Sequence, residues 1–415
     1  MKERKDKALA KKALEGVRVI EFGLYIALPL ATRLLASMGA EVIKVETLTS
    51  LDMSWYGPLY AGGALQLEYR PLKRNVTLNV RKPRGKEVME ELLKKSDVYI
   101  TNLGAGALAK YGLPFDHVQS LKKDLIVLWQ TGLGSTGPYG GYKAYGRLMQ
   151  HACAISTMSG TPDNLGVANV SYSDYHTSLF NAMAIIGALE RRHRTGEGCF
   201  IECPIYESGV VTVGPAFLDY QANGVVPERR ENRHRFFAPH GAYPCKGTDR
   251  WCTIAVTNEE EWKAFCGVIV NPAWTKSPQF ATAADRVKNV KDLDRLIGEW
   301  TSTRIAHQVM ARMQKAGVPA GIVSKGEDLD KSEHLKSHDF YKEAEYYAAD
   351  FQKPGVTWPV AGKSPVFSEP IGLSETPCQF GPMHKVGQDN NYVYGKLLGM
   401  SKEEIKQLTK EGVFA

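Results

Sequence analysis

The chain has 415 residues, of which 43% are hydrophobic and 23% charged, and a formal net charge of +7. That length accommodates two or three domains with sizeable cores, and the balance is that of an ordinary globular protein. No apolar run is long enough to span a bilayer, and the basic N-terminus lacks the apolar core of a signal peptide, so a cytoplasmic protein with no membrane partner is expected. The seven cysteines are scattered and odd in number, with neither paired CxxC motifs nor a disulfide framework, and no metal site is indicated. Basic residues are spread along the chain rather than gathered into a stripe with aromatic partners, which argues against nucleic acid. A polyanionic small molecule is enough to account for the modest positive excess.

Residues 1–12 are a charged leader. Val17–Phe22 is rich in strand formers and leads through Gly23 into a helix, Ala27–Met38, whose Leu30, Leu34 and Met38 fall on one face. The strand Glu41–Val45 follows. This is a β-α-β unit with short connections, the building block of a parallel sheet wrapped by helices. Glu46–Arg70 is irregular, and its Trp55, Tyr56, Tyr60 and Tyr69 are expected to cover a sheet edge. A second β-α-β unit comprises Val76–Val80, a helix opened by Pro83, and Asp97–Ile100. After the strand Leu125–Trp129, residues 132–137 read GLGSTG, formally a GxGxxG. Pro138-Tyr139-Gly140-Gly141 prevents a helix from starting there and the acidic residue expected about 20 positions on is missing, so dinucleotide binding is not expected.

Between Asp163 and Glu190 the only acidic side chain is Asp174, where a polar turn gives way to an alanine-rich helix. Leu179, Met183 and Ile186 recur at helical spacing, Arg191, Arg192 and Arg194 crowd the last turn, and Gly196 and Gly198 end it. Cys199–Cys203 then reads as a short strand. Position alone makes Asp174 an ordinary helix N-cap. From about Val225 two short strands surround a Gly-Thr-Asp turn, followed by helices at Glu259–Val268, Val290–Thr301 and Ile305–Ala316. A closing helical stretch runs from Asn391 to Lys410.

The pattern D-x-x-[ST]-x-L, an alanine-rich helix, R-x-x-T-G-x-G and a strand, from Asp174 to Cys203, resembles the core signature of the class III coenzyme A transferases. LEGVRVIEF…ALPLATRLLASMGAEVIKVE is similar to that family's N-terminal signature, and TNLGAGALAKYGL to its coenzyme-binding segment. The resemblance implies an α/β protein with a Rossmann-like large domain (13–224 and 329–415), an inserted smaller α+β domain (225–328), and two chains interlocked like links of a chain. It makes Asp174 the nucleophile and assigns Ile26, Ala27, Leu28, Lys73, Asn102, Leu103, Lys110, Lys143 and Tyr145 to the substrate and coenzyme A. Lys73 and Lys110 would meet phosphates; the alternative is two surface lysines.

The implied chemistry is attack of Asp174 on an acyl-CoA, giving an acyl-aspartyl anhydride and then an aspartyl-CoA thioester, with no permanently bound cofactor and coenzyme A as substrate. Backbone N–H groups at 132–137 and in the turn 27–29 are candidate oxyanion donors. Succinyl-CoA as donor and an aromatic or branched acid such as benzylsuccinate as acceptor are expected. Departures at Leu28, Ser37, Thr47, Gly104, Ala105 and Gly146 leave room for a weakly or non-catalytic subunit paired with a paralogous chain. A racemase of the same fold, using an Asp–His pair with His151 or His176, is the other alternative.

Overall fold

The computed structural model describes residues 12–48, 68–166, 170–346 and 362–414. The chain divides into two compact units, Met1–Ile155 with Ala168–Phe217 and Leu335–Ala415, and Ser156–Val167 with Leu218–His334. Trp55, Tyr56 and Tyr60 lie outside the described residues. Among the described residues, no helix is long and apolar enough to cross a membrane.

In the first unit six strands form one sheet: β1 (Arg18–Phe22), β2 (Glu41–Glu46), β3 (Arg74–Thr77), β4 (Val98–Thr101), β5 (Ile126–Trp129) and β6 (Phe200–Glu202). Their order is β3-β2-β1-β4-β5-β6, and every pairing is parallel. Strand side chains alternate between the faces, so a sheet covered on both sides needs nearly continuous apolar strands. Ile20, Ile43, Val76, Tyr99 and Val127 fill one core with Val88, Met89, Leu92 and Leu93 of α2 (Pro83–Lys94). On the other face Val19, Val42, Val98, Ile100 and Leu128 pack on α1 (Ala27–Ser37) and on Ala182, Ile185 and Ala188 of the long helix that precedes β6.

With the order 3-2-1-4-5-6, successive connections leave β1 and β4 in opposite directions. Such a topological switch point opens a crevice at the carboxyl ends of the strands. The loop after β1 begins at Gly23 and the loop after β4 at Asn102, two stretches singled out in the sequence.

Three further helices matter: a short one (Ala105–Lys110), α3 (Gly146–Ala152) and α4 (Tyr172–Thr195). Helix α4 ends at Gly196, whose φ of 72° is the left-handed conformation glycine adopts cheaply at a helix C-terminus. Its expected apolar stripe lies on the outside: Leu179 is 58% and Met183 61% exposed, whereas Ser178, Asn181, Ala182, Ile185 and Ala188 are buried. The buried face consists mostly of small side chains, which let α4 approach α1 and the sheet closely. The closing stretch is interrupted as well. A π-helical segment, Asn391–Leu397, is separated by a turn from the α-helix Lys402–Lys410.

The second unit has an antiparallel sheet of β7 (His240–Pro244), β8 (Trp251–Ala255) and β9 (Ala320–Ile322), with β8 in the middle. Helices Glu259–Val268, Val290–Thr301 and Ala306–Lys315 supply Phe265, Leu293, Ile297, Val309 and Met313 to its own core. The unit also contains a hairpin of Gly160–Thr161 with Asn164–Leu165, outside the stretch 225–328 expected for the smaller domain.

Candidate active site

Three basic or amide side chains fasten the loop after β1 to the sheet. Lys44 Nζ donates to Glu21 at 2.6 Å and to the Gly23 carbonyl at 3.1 Å; Lys73 Nζ donates to Glu21 at 2.8 Å and to the Pro29 carbonyl at 2.5 Å. The Thr32 hydroxyl gives Glu21 a third bond at 2.5 Å. The Asn102 side chain reaches across the switch point, accepting from the Leu24 N–H at 2.9 Å and donating to its carbonyl at 2.8 Å. Gly23 is required there, since a Cβ on it would lie 2.5 Å from Asn102 Oδ1.

Neither expectation for Lys73 holds. It is not a surface lysine, and its ammonium, 2% exposed, is spent on Glu21 and the Pro29 carbonyl rather than left for a phosphate. Burial drives its pKa down, and the Glu21 carboxylate opposes that shift. The Leu28 side chain is fully buried in the core against the sheet, which leaves only its backbone to face a ligand. Residues 27–29 form the first turn of α1, with Ile26 as N-cap, leaving backbone N–H groups free of intrahelical partners.

Asp174 stands third in α4, and Ser171, not Asp174, occupies the N-cap position. The N-terminus of α4 is docked on α3. The Tyr172 N–H donates to Gln150 Oε1 at 3.1 Å, and the Ser173 hydroxyl to the Gly146 carbonyl at 2.7 Å. A helix crossing between parallel strands runs opposite to them, which places the N-terminus of α4, and Asp174 with it, at the carboxyl edge of the sheet. Gly146 abuts the Asp174 carboxylate: a Cβ there would lie 2.0 Å from Oδ2. Burial raises the Asp174 pKa and the Ser171 hydroxyl beside it pulls the other way. Among the described residues no lysine, arginine or histidine forms an ion pair with this carboxylate.

Tyr145, immediately before Gly146, is 64% exposed and meets the ring of Tyr25 edge-on at 5.8 Å. Tyr25 lies in the loop after β1 with φ of 65°, a left-handed conformation uncommon for a tyrosine. The structure thus links the loop of Ile26–Leu28, Tyr145 and Asp174 through neighbouring contacts. Leu103 is half-buried, and its carbonyl accepts from Trp129 Nε1 at 2.9 Å. Lys110 and Lys143 are exposed. In the loop 132–137, the Gly134 N–H is taken by Thr131 Oγ1 at 3.1 Å, and Ser135 is tied to Glu202 at 2.7 Å.

His176 follows Asp174 by two positions, a spacing that points side chains to different sides of a helix. Its ring stacks on Tyr172 at 6.0 Å and meets Phe180 edge-on at 4.8 Å, and burial lowers its pKa. His151 is exposed. Ser171, Tyr25 and the structural part played by Gln150 are not legible as site features in the sequence; the one available signal is a serine three residues before the acid.

A family model described as CoA-transferase family III matches residues 14–380. The chain is 28% identical over 412 residues to succinyl-CoA–D-citramalate CoA-transferase of Chloroflexus aurantiacus, covering 97% of this chain and 98% of that one. It is 29% identical over 406 residues to the beta subunit of succinyl-CoA–L-malate CoA-transferase of the same organism, covering 96% and 98%. Formyl-CoA:oxalate CoA-transferase of Bradyrhizobium diazoefficiens is 28% identical over 430 residues, covering 97% and 98%. Among solved structures, a CAIB/BAIF family protein from Brucella suis superposes with a TM-score of 0.82 at 26% identity, covering 93% of this chain and all of that one. With a parallel sheet of this order and a family match running through both units, the chain belongs to CoA-transferase family III.

Proposed function

We propose that this CoA-transferase works through Asp174 as a covalent nucleophile. The observation that carries the reading is the state of its carboxylate: at the carboxyl edge of the sheet, without a cationic partner among the described residues, and with its pKa raised by burial. A carboxylate freed of ion pairs and partly desolvated is a better nucleophile than a solvated one. An Asp174 oxygen attacks the thioester carbonyl, the C–S bond breaks, and the CoA thiolate leaves an acyl-aspartyl anhydride. The thiolate then attacks the aspartyl carbonyl, releasing the donor acid and leaving aspartyl-CoA thioester. The acceptor carboxylate attacks that thioester, and the expelled thiolate takes the acyl group of the new anhydride. Asp174 is regenerated, and thioester energy is conserved without ATP.

Exposed Lys110 and Lys143 suit the coenzyme's phosphates, and the loop 26–28, Asn102, Leu103 and Tyr145 frame the approach to Asp174. Succinyl-CoA is the favoured donor, because two of the similar proteins are named for it. An aromatic or branched carboxylic acid, such as benzylsuccinate, is the favoured acceptor. No permanently held cofactor takes part. The racemase alternative would need a histidine paired with Asp174, and neither His151 nor His176 supplies one.

The partner is a second chain of this family, a copy or a paralogue, in an interlocked dimer. The exposed stripe of Leu179, Met183 and Ile186, with Tyr172 on the same helix, is the kind of contiguous apolar surface that marks an interface. One similar protein is named as a beta subunit, which keeps the paralogue in view. Size measurement beside transferase activity decides between them: a stable, fully active homodimer rules out the obligate heteromer.

The nucleophile is tested by Asp174→Asn, assayed with succinyl-CoA against a panel of carboxylic acids. Transfer falls by several orders of magnitude while coenzyme A binding persists. Turnover above about a tenth of wild type would sink the assignment.

A further inference from the structure

We propose that Gly146 and Ser171 together form the seat of the Asp174 carboxylate and act as positioning residues for the nucleophile. The proposal rests on reading Asp174 as that nucleophile. A Cβ built on Gly146 lies 2.0 Å from Asp174 Oδ2, 2.4 Å from its Cγ and 2.1 Å from Ser171 Oγ. A side chain at 146 would force the Asp174 carboxylate and the Ser171 hydroxyl to move. Gly146 is the first residue of α3 and is not among the residues with positive φ, so its backbone conformation does not require glycine. The position of the carboxylate depends on it, since Asp174 stands where a side chain at 146 would be.

Ser171 holds the N-cap position of α4, where a serine hydroxyl normally accepts from a backbone N–H of the first turn. Here it makes no capping bond, and its oxygen is buried without a well-aligned partner. It is instead crowded beside the carboxylate, stabilising the ionised form against burial. The seat is held from outside by the Ser173 hydroxyl on the Gly146 carbonyl and by the Tyr172 N–H on Gln150, which lock α4 to α3.

Arg147 and His151 of α3 are exposed, and the Tyr175 phenol of α4 donates to Glu68 at 2.9 Å. His176 projects to another side of α4, and Tyr25 and Tyr145 bring phenols rather than charges. Burial raises the Asp174 pKa and the Ser171 hydroxyl pulls it down. One neutral hydroxyl thus orients the carboxylate without neutralising it, as a lysine or arginine would.

The test uses the full-length protein without substrate. Carbodiimide with glycine ethyl ester labels protonated carboxyls, and peptide mapping follows the label at Asp174 across pH. Ser171→Ala moves the midpoint of labelling upward by about one pH unit, because the carboxylate loses the hydroxyl dipole crowded beside it, and Ser171→Thr restores it. In parallel, Gly146→Ala lowers kcat about 100-fold with KM for the acyl-CoA little changed, as a nucleophile displaced by about 1 Å would. An unchanged midpoint in Ser171→Ala, or no label at Asp174 at any pH, overturns the proposal. So does a Gly146→Ala variant with wild-type kcat. Asp174→Asn separates the two readings: turnover retained by that variant removes the nucleophile but leaves the labelling result standing.

Discussion

Glu21 and Asp174 are two carboxylates at the same edge of one sheet, and their surroundings drive them in opposite directions. Glu21 is fully buried, yet Lys44, Lys73 and Thr32 all donate to it. Burial alone would raise its pKa; the two ammoniums override that and hold it near about 2. Asp174 is less buried, has no cationic partner among the described residues and lies beside the Ser171 hydroxyl, and its pKa moves up. An over-determined carboxylate fixes structure, because its lone pairs are all in use. One left nearly alone keeps lone pairs for chemistry. Over-determination at Glu21 also serves the other site, since the same lysines hold the Gly23 and Pro29 carbonyls at the ends of the loop that carries Tyr25 and Ile26.

Breaking the Glu21 side is expected to have the larger effect on stability. Glu21→Gln leaves two buried ammoniums without a carboxylate and should cost about 3–5 kcal/mol in denaturant unfolding. A loss below about 1 kcal/mol would mean that the network does not hold the loop. The pH dependence has a defined sign. A depressed folded-state pKa gives Glu21 a stabilising contribution present above its ordinary value of 4.5 and lost as pH falls towards about 2. Glu21→Gln should therefore lose most relative to wild type at neutral pH.

Asp174 should show the opposite and smaller effect. Its raised pKa makes the protonated form the better accommodated one, so its contribution is fully present below 3.8 and declines as pH rises through the folded-state value. Asp174→Asn is expected to raise Tm at neutral pH and to match wild type in acid. A lower Tm at neutral pH would show that the carboxylate stabilises the fold, as a structural acid does.

The sequence made the alternation of strands and helices plain because each element carries its own period, and Glu259–Val268 and Val290–Thr301 occur with the bounds expected. The orientation of α4 was not legible. Leu179, Met183 and Ile186 show only helical spacing in the sequence, whereas the close approach of α1 selects Ala182, Ile185 and Ala188 for the inside. Lys73 looked like a phosphate ligand or a surface residue because nothing local announces burial; its partners are 52 and 44 residues away. In the sequence Gly146 stood out only as a departure from the family pattern. Only the folded chain shows that the space is taken by Asp174.

The central claim is that Asp174 forms covalent intermediates, and intact-mass measurement tests it most directly. The protein is mixed with succinyl-CoA in the absence of acceptor, quenched, weighed and mapped by peptide. The account predicts a fraction of chains carrying coenzyme A in thioester linkage at Asp174, absent from Asp174→Asn. Exchange of the substrate's α-proton with deuterated solvent and no adduct, or an adduct placed on another residue, would contradict it.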